Sequence, residues 1–293
     1  MFNKRQDELD KVFLRFHIGA AVLSVISVIV RKFTGWLIPV ALIGGWIGWF
    51  VVLVLFYVLG LFAVSLMVNM KKPVEKNHPR YRKTVLYVLG ILCRVARLRI
   101  HLVGEEMLPE GRFLLVSNHR SSYDPIATGW ALRRHDMTFV TKPENLKIPI
   151  AGPMIYKANY LPINRADPRK AMTTIQAAAH ILTENWASVG IYPEGTRSPD
   201  KEMLPFHNGV FKIAQKAHVP VVVVAIDGTE KIRKNAPIRP TDVDIRVCEV
   251  ISAEEVKAAS GAALGTRVRE ILEHYLFPVR AEKESIITAP QED

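Results

Sequence analysis

Residues 113–125 read FLLVSNHRSSYDP, and the fold turns on them. Phe113 to Ser117 is a short apolar run that reads as a buried strand. Asp124-Pro125 reads as a helix start, with an aspartate cap and proline at the first helical position. Between them sits a polar loop that holds His119 and Asp124 five positions apart. A histidine and an aspartate so placed can face each other across a tight turn. The carboxylate would then fix the imidazole tautomer and stabilise the cation formed when the ring takes a proton.

The same alternation continues downstream. Short strands are expected at 138–141, 160–163 and 188–192. Asp167-Pro168 repeats the cap pattern ahead of a helix to about Trp186. A helix is expected at 206–217. The run 219–226, with its valines and Ile226, reads as a strand buried on both faces. A further strand is expected at 245–250. Ser252 and Glu255 form a capping box, and 266–276 reads as the last helix. This order predicts an α/β domain with a mostly parallel mixed sheet flanked by helices.

Upstream, the composition changes. The chain has 293 residues, 49% of them hydrophobic, with a net charge of +11. Residues 35–70 contain no Lys, Arg, Asp, Glu or His. A spanning helix needs about 20 apolar residues, and Trp46 to Asn69 supplies them. Pro39 and Gly44-Gly45 are expected to break a helix across the whole stretch. The apolar run 18–30 is short for a span, and two layouts follow for 35–70: a hairpin whose halves meet near Trp46, or one span preceded by an interfacial helix. Trp36, Trp46 and Trp49 suit a membrane–water boundary. The cations after the run (Lys71, Lys72, Lys76, Arg80, Arg82, Lys83, Arg94, Arg97 and Arg99) suit the cytoplasmic side and anionic headgroups. The positive charge is therefore assigned to a membrane surface, not to nucleic acid. The division expected is 1–70 as membrane-anchoring helices, 71–99 as a basic linker or helix, 100–279 as the catalytic domain and 280–293 as a flexible tail. The N-terminus and the catalytic domain are both expected on the cytoplasmic face of the cell membrane. No cleaved signal peptide is expected. The two cysteines, Cys93 and Cys248, lack metal-ligand or CxxC spacing and read as buried thiols. His101, His135, His180, His207 and His218 also lack ligand spacing, so no metal site is expected.

A second loop follows the strand at 188–192 and reads YPEGTRS, residues 192–198. Gly195 permits close backbone approach, and Thr196 and Arg197 add donors suited to phosphate oxygens. Glu194 is suited to anchor the arginine or a substrate hydroxyl. The loop lacks the Lys-Ser/Thr ending of a nucleotide P-loop.

Together, NHRSSYD (118–124) and YPEGTRS (192–198) resemble the NHxxxxD and PEGTRS blocks of the glycerolipid acyltransferases, in particular the 1-acylglycerol-3-phosphate acyltransferases. NYLPINR (159–165) and VPVV (219–222) resemble two weaker blocks in the right order, the first with Asn159 where glycine is usual and Pro162 where an aromatic or aliphatic residue is common. The resemblance covers roughly residues 80–250. It implies a glycerol-3-phosphate acyltransferase-like fold and an acyl transfer without a covalent enzyme intermediate. His119 would be the general base, Asp124 its orienting partner and Asn118 a supporting residue. Glu194, Gly195, Thr196 and Arg197 would bind the glycerol phosphate, with Arg165 as a second cation. The implied partners are membrane lipids and an acyl-CoA or acyl carrier protein co-substrate, with no cofactor. The implied product is phosphatidic acid, made by acylating the sn-2 hydroxyl of 1-acylglycerol 3-phosphate. Glycerol 3-phosphate or another lysolipid is the alternative acceptor. A non-catalytic lipid-binding protein of the same fold would be expected to have lost His119, Asp124 or Glu194. A hydrolase using Ser121 or Ser122 would need a GxSxG elbow, which is missing.

Overall fold

The computed structural model describes residues 3–70, 78–164, 167–198 and 202–277. It divides into two compact units, one of residues 1–72 with 149–153 and one of 73–148 with 154–293.

The first unit is a hairpin of two helices, α1 (Asn3–Val30) and α2 (Leu37–Leu66). The break falls at the Arg31–Trp36 turn, not near Trp46, and α2 runs through both expected breakers. The reasons are local. Pro39 lies in the first turn of α2, where the backbone N–H groups have no intrahelical partner to lose. Gly45 faces α1, where a Cβ would stand 2.7 Å from the Ser24 hydroxyl, so its lack of a side chain permits close approach. The hairpin is tied by polar groups along one seam. The Ser24 hydroxyl donates to the Leu42 carbonyl at 2.7 Å, and the Trp49 indole donates to the Ser27 hydroxyl at 2.9 Å. His17 stacks against Phe50 with ring centroids 4.6 Å apart. The rest of α2 is apolar and uncovered, with Phe56, Leu59 and Leu66 all exposed. Its 30 residues make it long and apolar enough to cross a membrane, at about 1.5 Å per residue.

The second unit is a three-layer α/β/α structure. In chain order its elements begin with α3 (Pro79–Val95), β1 (Leu98–Val103), β2 (Leu114–Ser117), α4 (Asp124–Ala131) and β3 (Met137–Thr141). Then come α5 (Ala151–Lys157), whose first three residues are counted in the first unit, β4 (Leu161–Pro162), α6 (Pro168–Thr183), β5 (Ser188–Ile191), α7 (Lys212–Ala217) and β6 (Val221–Asp227). The chain continues through α8 (Ile232–Asn235), β7 (Thr241–Ile251), α9 (Ala253–Ala258) and α10 (Gly261–Leu276). The sheet order is β1-β7-β6-β2-β5-β3-β4, and every neighbouring pair is parallel except β6 with β7.

Period-two alternation on the central strands builds a core on each face. Leu114 and Val116 of β2, with Val221 and Val223 of β6, pack against Ile175, Phe211, Ile213 and Leu264. Phe113 and Leu115, with Val222 and Val224, pack against Val85, Ala127 and Leu132 on the other side. Both faces are covered, which is why β6 reads as a continuous apolar run.

Three expectations differ from what is seen. The described part of 71–99 is largely a helix, as one of the two expectations has it, but it is integrated into the second unit, because α3 buries Val85 in the second core and β1 pairs with β7. Strand β7 begins at Thr241, and its alternation of buried and exposed positions runs through Asp242, Asp244 and Arg246. Those charges hide it from an apolar-run search. Helix α10 starts at Gly261, capped by Ser260, whose side chain accepts from the Ala263 N–H. The tail 280–293 lies outside the described residues. Asn159 takes a left-handed φ of 69°, which explains how it stands where glycine is usual, since asparagine tolerates that region better than other residues. Its side chain also accepts from the buried Arg82 guanidinium at 3.3 Å.

Candidate active site

Strands β5, β2 and β6 are adjacent and parallel, so the loops that leave their carboxyl ends start side by side. In open α/β sheets this edge is where ligands bind. The three loops are Asn118–Tyr123 after β2, Tyr192–Ser198 after β5, and Gly228-Thr229 after β6.

Asn118 fixes the start of the first loop. Its side-chain amide donates to the Ile226 carbonyl at 2.8 Å and accepts from the Ile226 N–H at 2.9 Å. It thereby extends the β2–β6 ladder by one side-chain rung and is almost wholly buried.

His119 and Asp124 meet as their spacing predicts. The imidazole Nδ1 lies 2.8 Å from Asp124 Oδ2. The same oxygen accepts from the Arg120 and Ser121 N–H groups, each at 2.8 Å. The other oxygen accepts from the Thr229 hydroxyl. Asp124 is completely buried, while the His119 side chain is 15% exposed. Only the ring therefore reaches out of the protein. Donors on both carboxylate oxygens leave the aspartate one orientation, and that orientation presents Oδ2 to the ring. The face of the imidazole lies on Tyr192, with centroids 4.5 Å apart and planes 22° from parallel. Tyr192 in turn stacks on Phe139. Gly190 makes room for this column, since a Cβ there would stand 2.4 Å from the Phe139 ring. Burial drives the Tyr192 phenol well above its ordinary pKa, so the ring acts as a neutral aromatic face.

Glu194 is expected among the phosphate-binding residues, but its side chain turns inward. The Glu194 carboxylate is buried and engaged by backbone donors: Oε1 accepts from the His119 N–H at 2.6 Å and Oε2 from the Leu204 N–H at 2.9 Å. It is a clamp between the first two loops. Burial pushes its carboxyl pKa upward, against the opposing effect of those two N–H donors. Gly195 turns the chain with φ at 74°, and its N–H donates to the Tyr192 carbonyl at 3.0 Å. That turn lifts Thr196 and Arg197 to the surface, where both are exposed. The Arg197 guanidinium donates to the Ser122 hydroxyl at 3.0 Å, and the Ser198 N–H donates to the His119 carbonyl at 3.0 Å. Arg197 is thus tied to the first loop through Ser122. Arg165 lies outside the described residues.

Two contributors are not legible as motifs. Thr229 follows Gly228, whose φ is 87° and whose missing Cβ would otherwise stand 2.3 Å from the Asp242 carbonyl. Asp227, the last residue of β6, pairs with Arg120 at 3.1 Å. The sheet order puts β6 beside β2, and no local pattern in the sequence announces that.

This arrangement supplies an oriented imidazole and an exposed cation tied to the same loop. Those parts suit abstraction of a hydroxyl proton next to an anionic group. The acyltransferase family model matches residues 99–227. The 1-acyl-sn-glycerol-3-phosphate acyltransferase of Limnanthes douglasii is 27% identical over 57% of this chain and 59% of its own. The corresponding protein of Chlamydomonas reinhardtii is 32% identical over 64% and 59%. The alpha form from Ovis aries is 29% identical over 63% of each. The chain therefore spans less than two thirds of the length of these curated relatives. The crystal structure of the 1-acyl-sn-glycerophosphate acyltransferase PlsC from Thermotoga maritima superposes with a TM-score of 0.54 at 22% identity, covering 81% of this chain and 91% of that one. It shares the fold. NHRSSYD and YPEGTRS both lie inside the matched span, so it is through residues 99–227 that the chain is similar to the acyltransferase family.

Proposed function

We propose that this protein is an O-acyltransferase that moves a fatty acyl group from acyl-CoA or acyl carrier protein to the sn-2 hydroxyl of 1-acylglycerol 3-phosphate, giving phosphatidic acid. The observation that carries this reading is the His119–Asp124 pair, locked at the carboxyl end of β2 by donors on both aspartate oxygens. With Nδ1 bound to Asp124, Nε2 is the nitrogen that meets the acceptor hydroxyl. Nε2 takes the hydroxyl proton as the oxygen attacks the thioester carbonyl. The tetrahedral intermediate collapses, the C–S bond breaks, and the leaving thiolate takes the proton back from the imidazolium. A thioester is already activated, so the protein supplies a base and position. Base catalysis contributes about 10²–10⁴-fold, and holding both substrates together supplies the rest.

Arg197 and the Thr196 hydroxyl, presented by the turn at Gly195, are assigned to the acceptor phosphate, and Arg165 is assigned as a second cation. The curated relatives are named for this acceptor, which supports it over glycerol 3-phosphate. The apolar helix α2 supports a membrane setting, with the catalytic unit on the cytoplasmic face, where a lipid acceptor and a soluble donor meet. The test is a substrate panel on the full chain in detergent. Phosphatidic acid from 1-acylglycerol 3-phosphate with either donor supports the reading. Acylation of glycerol 3-phosphate alone would move the assignment to that acceptor.

A further inference from the structure

Asp124 has a second holder that lies in neither loop motif. The Thr229 side chain is completely buried, and its hydroxyl donates to Asp124 Oδ1, the oxygen that His119 does not use. Without that bond, Oδ1 is a buried charge-bearing oxygen with no donor among the described residues, and the carboxylate is held at one oxygen only. The three groups on Oδ2 converge on a single atom, so rotation about the Cβ–Cγ bond is resisted at one end of the group. The Thr229 hydroxyl resists it at the other. The placement of Thr229 is itself enforced. Gly228 takes a left-handed φ of 87°, and a side chain there would collide with the Asp242 carbonyl on β7. The antiparallel β6–β7 pair, which sets Asp227 opposite Asp244, therefore ends in a turn shaped to deliver a hydroxyl to the aspartate.

We propose that Thr229 is a positioning residue for the catalytic base, acting through Asp124 to hold the His119 ring in the orientation and tautomer that acyl transfer needs. This inference rests on the acyltransferase reading above. Thr229 does not touch the ring, and it lies on a different strand end from the substrate-facing Arg197. Its effect therefore falls on turnover and leaves substrate binding alone. The other ionisable groups facing the His119–Asp124 pair are Tyr192 and Glu194 from the β5 loop, and Arg120 with its partner Asp227. None of them is altered by the substitutions used here.

The test compares Thr229→Val, which keeps the shape and deletes the donor, with Thr229→Ser, which keeps the donor. All are made in the full-length protein and assayed with lysophosphatidic acid and a long-chain acyl-CoA or acyl carrier protein. Loss of a hydrogen bond to a buried charged group predicts a kcat about 10- to 100-fold lower for Thr229→Val, with KM for both substrates unchanged. Thr229→Ser should stay within about threefold of wild type. The decisive arm is a double-mutant cycle. In an Asp124→Ala background, Thr229→Val should cost nothing further, because its only route to the base is gone. Equal losses in both backgrounds would mean that Thr229 merely supports the fold, and would overturn the proposal. So would a Thr229→Val enzyme with wild-type kcat.

Proton NMR of the purified protein gives a readout that does not need activity. The His119 Nδ1–H bound to a buried carboxylate should give a far-downfield resonance that is missing in His119→Ala. It should be weakened or lost in Thr229→Val and kept in Thr229→Ser. An unchanged resonance in Thr229→Val would overturn the proposal even if the preparation were inactive on every lysolipid tried. Inactive wild type with the expected resonance pattern would instead sink the acyltransferase reading and leave the positioning role standing.

Discussion

Replacing Glu194 by glutamine separates two roles that the sequence alone merges. The carboxylate is 3% exposed and accepts from the His119 N–H at 2.6 Å and the Leu204 N–H at 2.9 Å. Glutamine has one acceptor oxygen and one NH2. Whichever way it turns, one backbone N–H then faces a donor. A hydrogen bond to a charged group contributes about 1.5–3 kcal/mol, and a buried donor left unsatisfied costs about 1–3 kcal/mol. These terms overlap, and the neutral amide is cheaper to bury. The net loss expected is about 2–3 kcal/mol. For a unit of this size each kcal/mol lowers the midpoint by about 2–4 °C, so Glu194→Gln should melt about 4–12 °C below wild type. The assay is thermal unfolding in detergent at a fixed scan rate, followed by near-UV circular dichroism, with steady-state kinetics on the same preparations. Activity should fall mainly in kcat, because the His119 backbone moves with its clamp. An unchanged melting midpoint together with a KM for the lysolipid raised about tenfold would refute the reasoning and return Glu194 to the substrate.

Other perturbations test other parts of the account. Gly190→Ala puts a methyl group where the Phe139 ring lies. Overpacking of this kind costs about 1–3 kcal/mol, and because Phe139 and Tyr192 back the His119 ring, turnover should fall as well as the melting midpoint. Burial pushes the Cys93 thiol up to about 12 and the Cys248 thiol up to about 11. Neither should react with a maleimide at pH 8 until the protein unfolds, and rapid labelling of the native form would contradict their placement. The backbone N–H of Ser252, followed by the Arg267 guanidinium, holds Glu255 down to about 2. A lowered folded value means stability that is present above the ordinary glutamate range and lost as pH falls toward about 2. Acid unfolding of Glu255→Gln followed by helical circular dichroism should therefore be less steep in that window than that of wild type.

Much of the fold was legible because its elements are short and sharply punctuated. Asp167 and the Ser252–Glu255 box cap their helices as expected, whereas α4 starts at Asp124 with Tyr123 at the cap position, because the Asp124 carboxylate turns back to His119, Arg120, Ser121 and Thr229. The valine run of β6 announced a strand covered on both faces. What was not legible depended on tertiary contact. Pro39 and Gly44-Gly45 look like breakers, yet one sits where a first turn tolerates proline and the glycines lie within a helix packed against α1. Charged positions on β7 face outward and mask a strand. At the site, NHRSSYD gave the base and its partner because both lie in one loop. The inward contacts of Glu194 were not legible because its partners are backbone N–H groups, one of them on the neighbouring loop. Thr229 was missed because its role exists only once β6 is placed beside β2.

The central claim is that His119, held by Asp124, is the base for acyl transfer to a lysolipid hydroxyl. The measurement that tests it most directly is phosphatidic acid formation by wild type and His119→Ala, with matched melting midpoints and saturating lysophosphatidic acid and acyl donor. The account predicts product from wild type and a kcat about 10²–10⁴-fold lower in the mutant. Equal kcat values in the two proteins would contradict it.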